Sequence, residues 1–582
     1  MATKLTAEEQ RLFDEVRQER MVWARTFDNP LVRGLDRATS DIYPDPAHFV
    51  YELLQNADDA EASAASFILE KDVLYFKHNG EVRFNITSDK ARPLGHINSI
   101  TAYLSSKEDK PDGNKIGKFG LGFKSVFVYT DAPEIYDDKF WFKIEKQIVP
   151  TLLENDHPKR EDGETLFVFK LKKGKRVYED IDNKLRQLNG ATLFLHHLAT
   201  ISYENAITKA KYQYDEEREY FLDEENIMAS DVKLSANGKE EQLILFERDV
   251  KFTYKYEQLE SRIAIGYYLR EDGSLDSTTH RGVSCFFPTS ENFELPYIIH
   301  APFLLTSNRQ NIKDDPINRL FIQYIANLVA DSLLELTKRK GPKNKNLIGR
   351  NILNFVPQRD YSHYDTWSKV QPINEAVTKL LRTEAVFLVW GNRYVKREDA
   401  YIAGNEDLRR LLSQEQLAEL TRNPRCGFLR FSSKDEDHEY FLTHTIGIKS
   451  FTPEELATKL SADYMSHQEK AWVIKLYHFL KTSARLTWNP VEGKAQYMYS
   501  GLGYPMRYAP IILNQEGKWV SPYVKLNQNA PYSNDNERAN VFLPIEGTQG
   551  NYSFVNKEYL DKNSHPVLDF QVSEVKLPDK AL

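Results

Sequence analysis

A short stretch near the start of the chain combines an apolar side with a line of polar groups. In VYELLQNADDA, residues 50–60, Glu52, Asn56 and Asp59 fall within about 60° of one another at about 100° per residue. The pattern predicts a helix whose polar groups lie at the edge of a core, and YPDPAHF before it provides Asp45 as cap and Pro46 as first helical residue. The adjoining apolar sector contains Phe49, Val50, Leu53, Leu54, Ala57 and Ala60.

A charged amphipathic helix is predicted over residues 8–26, before this helix, and strand patterns come after it. SFILEKDVLYFKHNG contains two β-rich runs around a charged turn, and KFWFKI and ETLFVFKL are further strand candidates. A mixture of helices and strands in this order predicts an α/β sandwich over residues 1–200.

The rest of the chain divides into two further regions by pattern. Residues 201–345 contain strand-like segments such as RIAIGYYL, then the periodic run NRLFIQYIANLVADSLLEL, and end in the basic segment KRKGPKNK, which we interpret as a solvated linker. In residues 346–582, AVFLVWGNRYVKREDAYI and APIILNQEGKWVSPYVKL share an apolar strand, a Gly-containing turn and an aromatic–Val pair. The pattern predicts a second α/β domain and a third α/β region with a weak repeat and no recognisable catalytic motif.

Composition narrows the classes of function. The 582 residues exceed what one core supports, and a hydrophobic content of 41% with 12% aromatics is typical of folded chains. A net charge of −8 excludes general attraction to nucleic acid or anionic lipid, so nucleic acid is expected only through a local patch or a partner. Cys285 and Cys426 form neither a disulfide framework nor a metal-ligand spacing, and no apolar run approaches a membrane span, so we expect a cytoplasmic protein.

A glycine-rich motif, IGKFGLGF, supplies the second candidate piece of chemistry. Gly117, Gly120 and Gly122 allow several backbone N–H groups to point at one anion, with lysines 115, 118 and 124 nearby. The spacing predicts a phosphate cradle that is neither the P-loop GxxxxGKS/T nor GxGxxG. Taken alone, each piece has an ordinary interpretation, a solvated helix face or a tight turn. The order ExxxNAxDA, HNG, GxxGxG and a late GET strand is much more specific.

This order resembles the GHKL ATPase superfamily, which includes gyrase, histidine kinases, mismatch-repair ATPases and the ninety-kilodalton heat-shock chaperones. HFVYELLQNADDA, HNG and IGKFGLGFKSVF are most similar to the sacsin-type branch. The resemblance implies a mixed α/β (α+β) fold class, with a Bergerat-fold ATPase sandwich over residues 1–200, a transducer-like domain over 201–345 and a further α/β region over 346–582. It also implies an ATP site with Mg²⁺, built from residues 45–171.

The resemblance assigns roles residue by residue. Glu52 matches the general base that activates water, and Asn56 matches the residue that binds magnesium through its side-chain oxygen. Independently, an amide oxygen suits a hard cation, and a carboxylate one turn away can take a proton from water. The other implied nucleotide-site residues are Asp59, His78, Gly80, Ser106, Lys107, Gly117, Lys118, Phe119, Gly120, Leu121, Gly122, Phe123 and Thr165.

Two further positions follow from the resemblance. LPYIIHAPFLLTSNRQNIKDDPINRLFIQYIANL is similar to the chaperones' middle-domain loop and helix, and this places Arg309 where an arginine reaches the γ-phosphate, the alternative being an ordinary surface arginine. His78 stands where most of the superfamily has an aspartate that accepts from the adenine amino group. A neutral imidazole could accept this bond and an imidazolium could not, so adenine affinity is expected to fall below about pH 6.5. The preference for ATP over GTP stays open.

The leading hypothesis is a slow ATP-driven clamp, a homodimer or larger assembly that works on a protein client or with a partner subunit. The resemblance suggests client handling or antiviral defence as the cellular role. One alternative is a nucleotide-binding or degenerate scaffold without turnover, and another is a DNA-associated ATPase that works with a nuclease or helicase. We find neither a phosphoacceptor helix nor a catalytic tyrosine domain, which argues against a histidine kinase and a topoisomerase. Whether the chain is complete stays open.

Overall fold

The computed structural model describes residues 5–27, 48–91, 93–102, 123–173, 176–224, 226–254, 257–306, 311–349, 351–357, 368–430, 436–482, 505–526, 537–543, 552–562 and 565–567. These residues form a mixed α/β fold with a large mixed sheet, which confirms the predicted fold class at that level. The chain divides into two compact units, residues 1–377 and 378–582. The finer domain boundaries at residues 200 and 345 stay predictions.

The first unit contains most of the long elements. Its helices are α1 (Ala7–Phe27), α2 (Phe49–Asp59), α3 (His96–Thr101), α4 (Val177–Leu185), α5 (Pro316–Lys338) and α6 (Gln371–Thr383), the last of which extends into the second unit. Its strands are β1 (Ala64–Leu69), β2 (Val73–His78), β3 (Glu134–Tyr136), β4 (Trp141–Glu145), β5 (Val149–Leu152), β6 (Thr165–Lys170), β7 (Thr200–Asn205), β8 (Lys211–Glu224), β9 (Ile227–Ala236), β10 (Lys239–Tyr254), β11 (Glu257–Tyr268), β12 (Arg281–Cys285), β13 (Phe287–Leu295) and β14 (Ile298–His300).

One sheet of fourteen strands joins the described parts of this unit, in the order β13-β12-β14-β11-β10-β9-β8-β7-β1-β2-β6-β3-β4-β5. Strand β7 is the junction, because it pairs in parallel with β1 and antiparallel with β8. The sheet is therefore continuous through residue 200, where the sequence pattern changes.

The N-terminal part of the sheet is covered by helices whose apolar sides face it. Helix α1 begins with a reciprocal cap, in which Thr6 N–H donates to Glu9 and Glu9 N–H donates to the Thr6 hydroxyl. Its Phe13 pairs edge-on with Phe142 of β4. Helices α1, α2 and α4 share one core with β1, β2, β4 and β6. The helices predicted over residues 8–26 and across residue 50 are thus present, and Asp45 and Pro46 lie outside the described residues.

Helix α5 packs against β10 and β11 in the second part of the sheet. Asp315 caps its first turn by accepting from Ile317 N–H at 3.0 Å, and Pro316 occupies the first helical position. Near the middle of the helix, the Ser332 and Tyr267 hydroxyls are hydrogen-bonded at 2.8 Å. By length and composition alone α5 could cross a membrane, but 56% of that window is buried inside the protein, as in a core helix.

The second unit is built from short elements around its own core. Its helices are α7 (Glu406–Leu411), α8 (Gln414–Thr421), α9 (Glu436–Tyr440), α10 (Pro453–Lys459), α11 (Ala462–Ser466) and α12 (Lys470–Thr482). Its strands are β15 (Phe387–Val389), β16 (Arg393–Val395), β17 (Ala400–Ala403), β18 (Gly427–Phe428), β19 (Lys449–Phe451), β20 (Ile512–Leu513), β21 (Trp519–Val520), β22 (Tyr523–Lys525) and β23 (Glu537–Ala539).

The two copies of the weak repeat have the same local structure. Strands β15 and β16 form one antiparallel hairpin, and β20 and β21 form the other. Each turn contains a glycine at positive φ, Gly391 at 96° and Gly517 at 76°. The strand–turn–strand pattern that the sequence predicts is therefore present in both.

Candidate functional site

Helix α2 places the predicted general base and the predicted magnesium ligand one turn apart. Glu52 is 4% exposed, and its Oε1 lies 3.7 Å from Nε2 of His48. Asn56 is half-buried, and its side chain has no hydrogen-bond partner among the residues that the structure describes. Asp59 is also half-buried. Since residues four apart share one side of a helix, Glu52 and Asn56 face the same way, as the sequence pattern predicts.

The opposite side of α2 carries a buried acid that the sequence pattern did not single out. Asp58 is 1% exposed and accepts hydrogen bonds from the backbone N–H groups of His196, His197 and Leu198, at 3.0, 2.7 and 2.9 Å. These three residues precede β7. Asp58 therefore fastens the segment before β7 to α2. Its position at the border of the apolar sector was the available signal, because a charge there requires a buried partner.

The end of β2 approaches the end of α2 closely. A side chain at Gly80 would place its Cβ 2.5 Å from the carbonyl oxygen of Ala60 and 2.9 Å from Nδ1 of His78. The Val82 N–H donates to the same Ala60 carbonyl at 3.2 Å. Gly80, a predicted nucleotide-site residue, thus allows this contact between helix and strand.

His78 is buried, and its hydrogen bond assigns its tautomer. The Gly80 N–H donates to Nδ1 at 3.2 Å, so the neutral ring carries its proton on Nε2. Burial, with the Arg83 guanidinium as a smaller cause, lowers the pKa of His78 to about 3. Its free nitrogen is therefore a donor and cannot accept from an adenine amino group. The sequence-based interpretation of His78 as an acceptor that titrates near pH 6.5 is corrected on both points.

Thr165 lies opposite His78 in the pairing of β6 with β2. Its hydroxyl donates to Asp137 Oδ1 at 3.0 Å, and the Phe84 N–H donates to Asp137 Oδ2 at 2.6 Å. Arg83 forms an ion pair with the same carboxylate at 3.2 Å. Asp137, 1% exposed, thus fixes the predicted adenine-side threonine, and nothing in the sequence pattern distinguished it from other turn acids.

Lys124 does not supply a free cation to the phosphate cradle. Its Nζ is buried and donates to the carbonyl oxygens of Ile100 and Gln147 at 2.8 and 2.6 Å. Burial, with Arg20 as a smaller cause, lowers its pKa to about 7. Lys124, which the sequence pattern places near the glycine motif, therefore joins residues on either side of segment 103–122. The neighbouring Phe123 is buried and packs near Phe167.

Several predicted site residues lie outside the described residues. Around Arg309, the buried Asn318 donates to the carbonyls of Leu304 and Lys313 and accepts from Leu304 N–H. The side chain of Asn318, at the start of α5, thus binds residues on both sides of segment 307–310. The predicted residues outside the description are Ser106, Lys107, Gly117, Lys118, Phe119, Gly120, Leu121, Gly122 and Arg309.

The described ranges contain neither a cluster of metal-binding side chains nor a disulfide. Within those ranges, no three His, Cys, Asp or Glu side chains are placed to hold a metal ion together. Cys285 and Cys426 form no disulfide. A single amide ligand such as Asn56 is a different case, because magnesium usually keeps waters and substrate phosphates as its other ligands.

Comparisons with known proteins agree with the motif order. Residues 36–216 match the family model described as the Sacsin domain. The chain is 25% identical over 481 residues to Protein NO VEIN of Arabidopsis thaliana, an alignment that covers 75% of this chain and 16% of that protein. It is 31% identical over 121 residues to Sacsin of Homo sapiens, covering 18% of this chain and 2% of that protein.

Another relative is a chaperone. Chaperone protein HtpG of Psychrobacter arcticus is 28% identical over 130 residues, which covers 18% of this chain and 20% of that protein. The chain thus spans at most about a fifth of the length of these relatives. Its first part contains a sacsin-type region that resembles GHKL ATPases.

Proposed function

We propose that the side of α2 that carries Glu52 and Asn56 forms one wall of a Bergerat-type pocket that binds ATP with Mg²⁺ and hydrolyses it slowly. The observation that supports this most directly is the pair itself. A half-buried Asn56 amide without a described hydrogen-bond partner lies one turn after a buried carboxylate. A polar group that is half-buried and unbonded in the protein is available to a ligand.

The residues present suit a magnesium ion that is bound mainly by phosphate and water. Asn56 Oδ1 would be the protein ligand, and the ion would neutralise charge on the phosphate oxygens. Glu52 would accept the proton of a water that attacks the γ-phosphorus while the bond to the β-phosphate breaks, which gives ADP and phosphate. The burial of Glu52 beside His48 restricts its motion, as a base needs.

The rest of the proposed pocket rests on the resemblance. The glycine motif over residues 117–122 would cradle the phosphates, and Arg309 would contact the γ-phosphate. His78 and Thr165, paired across two strands, would lie on the base side with the contacts of Thr165 fixed by Asp137. Because Nε2 of His78 is a donor, it would face an acceptor atom of the base, such as a ring nitrogen or the guanine carbonyl.

At the level of the cell, we propose a chaperone-like conformational cycle. Nucleotide would change the association of a homodimer or larger assembly that handles a protein client in the cytoplasm. The Sacsin domain match and the similarity to a protein named as a chaperone support this proposal. A defence role and a DNA-associated complex stay alternatives without a specific structural observation behind them.

The test is phosphate release by wild type and Glu52→Gln under saturating Mg·ATP. Loss of a general base lowers the rate by about 10²–10⁴-fold, whereas nucleotide affinity is expected to stay within a few fold of wild type. Glu61→Gln, an exposed acid just beyond the same helix, is the matched control and keeps wild-type turnover. Wild-type turnover in Glu52→Gln would remove the assigned base.

A further inference from the structure

A polar cavity of about 220 Å³ lies in the first unit, away from the side of α2 that carries Glu52 and Asn56. Its walls are residues 194–199, which Asp58 fastens to α2, together with β8, β10, β11, Phe286 and His300. Among the described residues assigned to the proposed nucleotide site, none lines it. The cavity therefore needs its own explanation.

The first arginine in this cavity has no donor to spare for a ligand. Arg218 donates through Nε and one terminal nitrogen to Glu216 Oε1, and through the other terminal nitrogen to Glu247 Oε2 at 3.0 Å. It also donates to the carbonyl of Leu193 at 3.0 Å and contacts the Tyr220 hydroxyl at 3.5 Å. Its five N–H groups are thus directed at protein acceptors.

The second arginine is also paired. Arg262 makes a two-pronged contact with Asp249 at 2.8 and 3.1 Å, and its remaining terminal nitrogen lies 3.9 Å from Glu247 Oε1. Three carboxylates thus surround two guanidinium groups, and one net negative charge remains. An anionic ligand would find its positive partners already occupied.

The polar side-chain atoms that stay available in the cavity include a carboxylate oxygen and a hydroxyl, which can accept hydrogen bonds. Glu216 is 8% exposed at its side chain, and its Oε2 makes no hydrogen bond with any residue that the structure describes. The buried Ser261 also has no side-chain partner within the described ranges. A buried carboxylate oxygen without a donor is costly for the protein alone, so a donor from a ligand would stabilise it.

Two histidines and two phenylalanines, His196, His300, Phe194 and Phe286, form another part of the wall. His300 stacks on Phe194 with ring centres 4.5 Å apart, and its Nδ1 accepts from Phe286 N–H at 3.2 Å. The ring of His196 lies 6.2 Å from that of Phe286. Burial lowers the pKa of His300 to about 3 and also lowers the pKa of His196. Neither histidine therefore adds a positive charge near neutral pH.

We propose that this cavity is a binding site for a small organic cation with an ammonium or guanidinium group. The cation's N–H groups would donate to Glu216 Oε2 and the Ser261 hydroxyl, and its carbon chain would lie along Phe194 and Phe286. An aromatic wall next to a carboxylate is the arrangement that favours organic cations. A metal ion fits less well, because the described residues contain no triple of His, Cys, Asp or Glu ligands.

The cavity is mechanically connected to α2. Its wall at residues 196–198 donates three backbone hydrogen bonds to Asp58. In addition, Tyr51 of α2 stacks at 4.4 Å on Phe287, the neighbour of Phe286. A cation that favours one position of this wall would change nucleotide affinity, and nucleotide would change cation affinity by the same factor. This coupling, unlike the binding site itself, rests on the proposed function.

The binding test uses calorimetry on the full chain without nucleotide. The probes are agmatine and cadaverine as cations, 1-pentanol as a neutral chain, and glutarate as an anion. We expect millimolar or tighter binding of the cations and none of the other two. Glu216→Gln should weaken cation binding by about 10-fold or more, because a charged acceptor is lost. Glu217→Gln, an exposed acid at the next position of β8, is the control and should bind as wild type.

Several results would overturn the proposal. These are equal cation affinity in wild type and Glu216→Gln, binding of glutarate in preference to agmatine, or no cation binding at all. If Glu216→Gln does not show the wild-type melting curve, Ser261→Ala is used in its place. Unchanged cation affinity in Ser261→Ala would then overturn the proposal. A capped tripeptide with a central arginine that binds more tightly than agmatine would overturn the assignment to a free small molecule.

The coupling is measured separately. The affinity for a slowly hydrolysed ATP analogue should change in the presence of saturating agmatine, and the same factor should appear in agmatine affinity with saturating analogue. Unchanged affinities, in a protein that binds both ligands, would contradict the coupling. Absence of nucleotide binding alone would contradict the proposed function and leave the cation site to be decided by the binding test.

Discussion

The two sides of α2 carry acids that are equally buried and differently bonded. Asp58, 1% exposed, receives three backbone N–H donors from the segment before β7. Glu52, 4% exposed, lies 3.7 Å from a histidine and one turn before an asparagine without a described partner. Burial alone thus does not identify a chemical role. Asp58 fastens the segment before β7 to α2, whereas Glu52 carries the proposed role of general base.

We expect the largest loss of stability when Asp58, the acid bonded to the segment before β7, is changed. Asp58→Asn should lower the free energy of unfolding by about 2–4 kcal/mol, because it removes the charge and one acceptor from three backbone N–H groups. Urea denaturation measures this loss. Asp72→Asn, in the exposed turn between β1 and β2, is the control and should stay within about 0.5 kcal/mol of wild type. An equal loss in the two variants would remove the distinction that we draw for Asp58.

Lys124 is a buried basic group that, like Asp58, is hydrogen-bonded to the backbone, and its burial predicts a pH-dependent stability. Its folded pKa of about 7 is below that of an unfolded lysine, so the unfolded chain binds more protons between about pH 7 and about pH 10. Wild type should therefore gain stability relative to Lys124→Met as the pH rises through this window, by up to about 1.4 kcal/mol per pH unit. Denaturation of both proteins across the window is the measurement. A constant difference between them would show that Lys124 is not titrating where its burial implies.

The smallest effect that we expect is the effect of pH on base preference at His78. Its depressed pKa of about 3 means that its stabilising contribution is complete above about pH 6.5 and is lost as the pH falls towards 3. The ratio of ATP to GTP affinity should therefore be the same at about pH 6 and about pH 8, on either side of the ordinary histidine pKa. Competition binding measures it. His78→Asp, which restores an acceptor, should shift the ratio towards ATP, and no shift would mean that His78 does not face the base.

The local elements of this chain were predictable because their signals are local. Helices α1 and α2 follow from apolar spacing, and both repeat hairpins follow from a glycine turn between strand-like runs. The alignment of Glu52 with Asn56 required only the helical period. These predictions use residues that are few positions apart, so no knowledge of the tertiary structure was needed.

The bonding of the site was not predictable in the same way. Asp58 and the backbone groups that it binds are 138 to 140 residues apart, and Thr165 and Asp137 are 28 apart. The free nitrogen of His78 was misjudged because its acceptor atom is used by the Gly80 amide, a contact that only the fold creates. Lys124 lies just after the glycine motif in the sequence, and only the fold shows that two carbonyl groups, of Ile100 and Gln147, bind it.

The central claim is that the Asn56 side of α2 binds a magnesium–nucleotide complex. Calorimetry with a slowly hydrolysed ATP analogue, in Mg²⁺ and in EDTA, tests it on wild type, Asn56→Ala and Asn183→Ala, an exposed asparagine on α4. Alanine favours the helix, so the fold should persist. We expect Asn56→Ala to lose about 10-fold or more of the magnesium-dependent affinity, and Asn183→Ala to behave as wild type. Equal magnesium-dependent affinity in wild type and Asn56→Ala would contradict the claim.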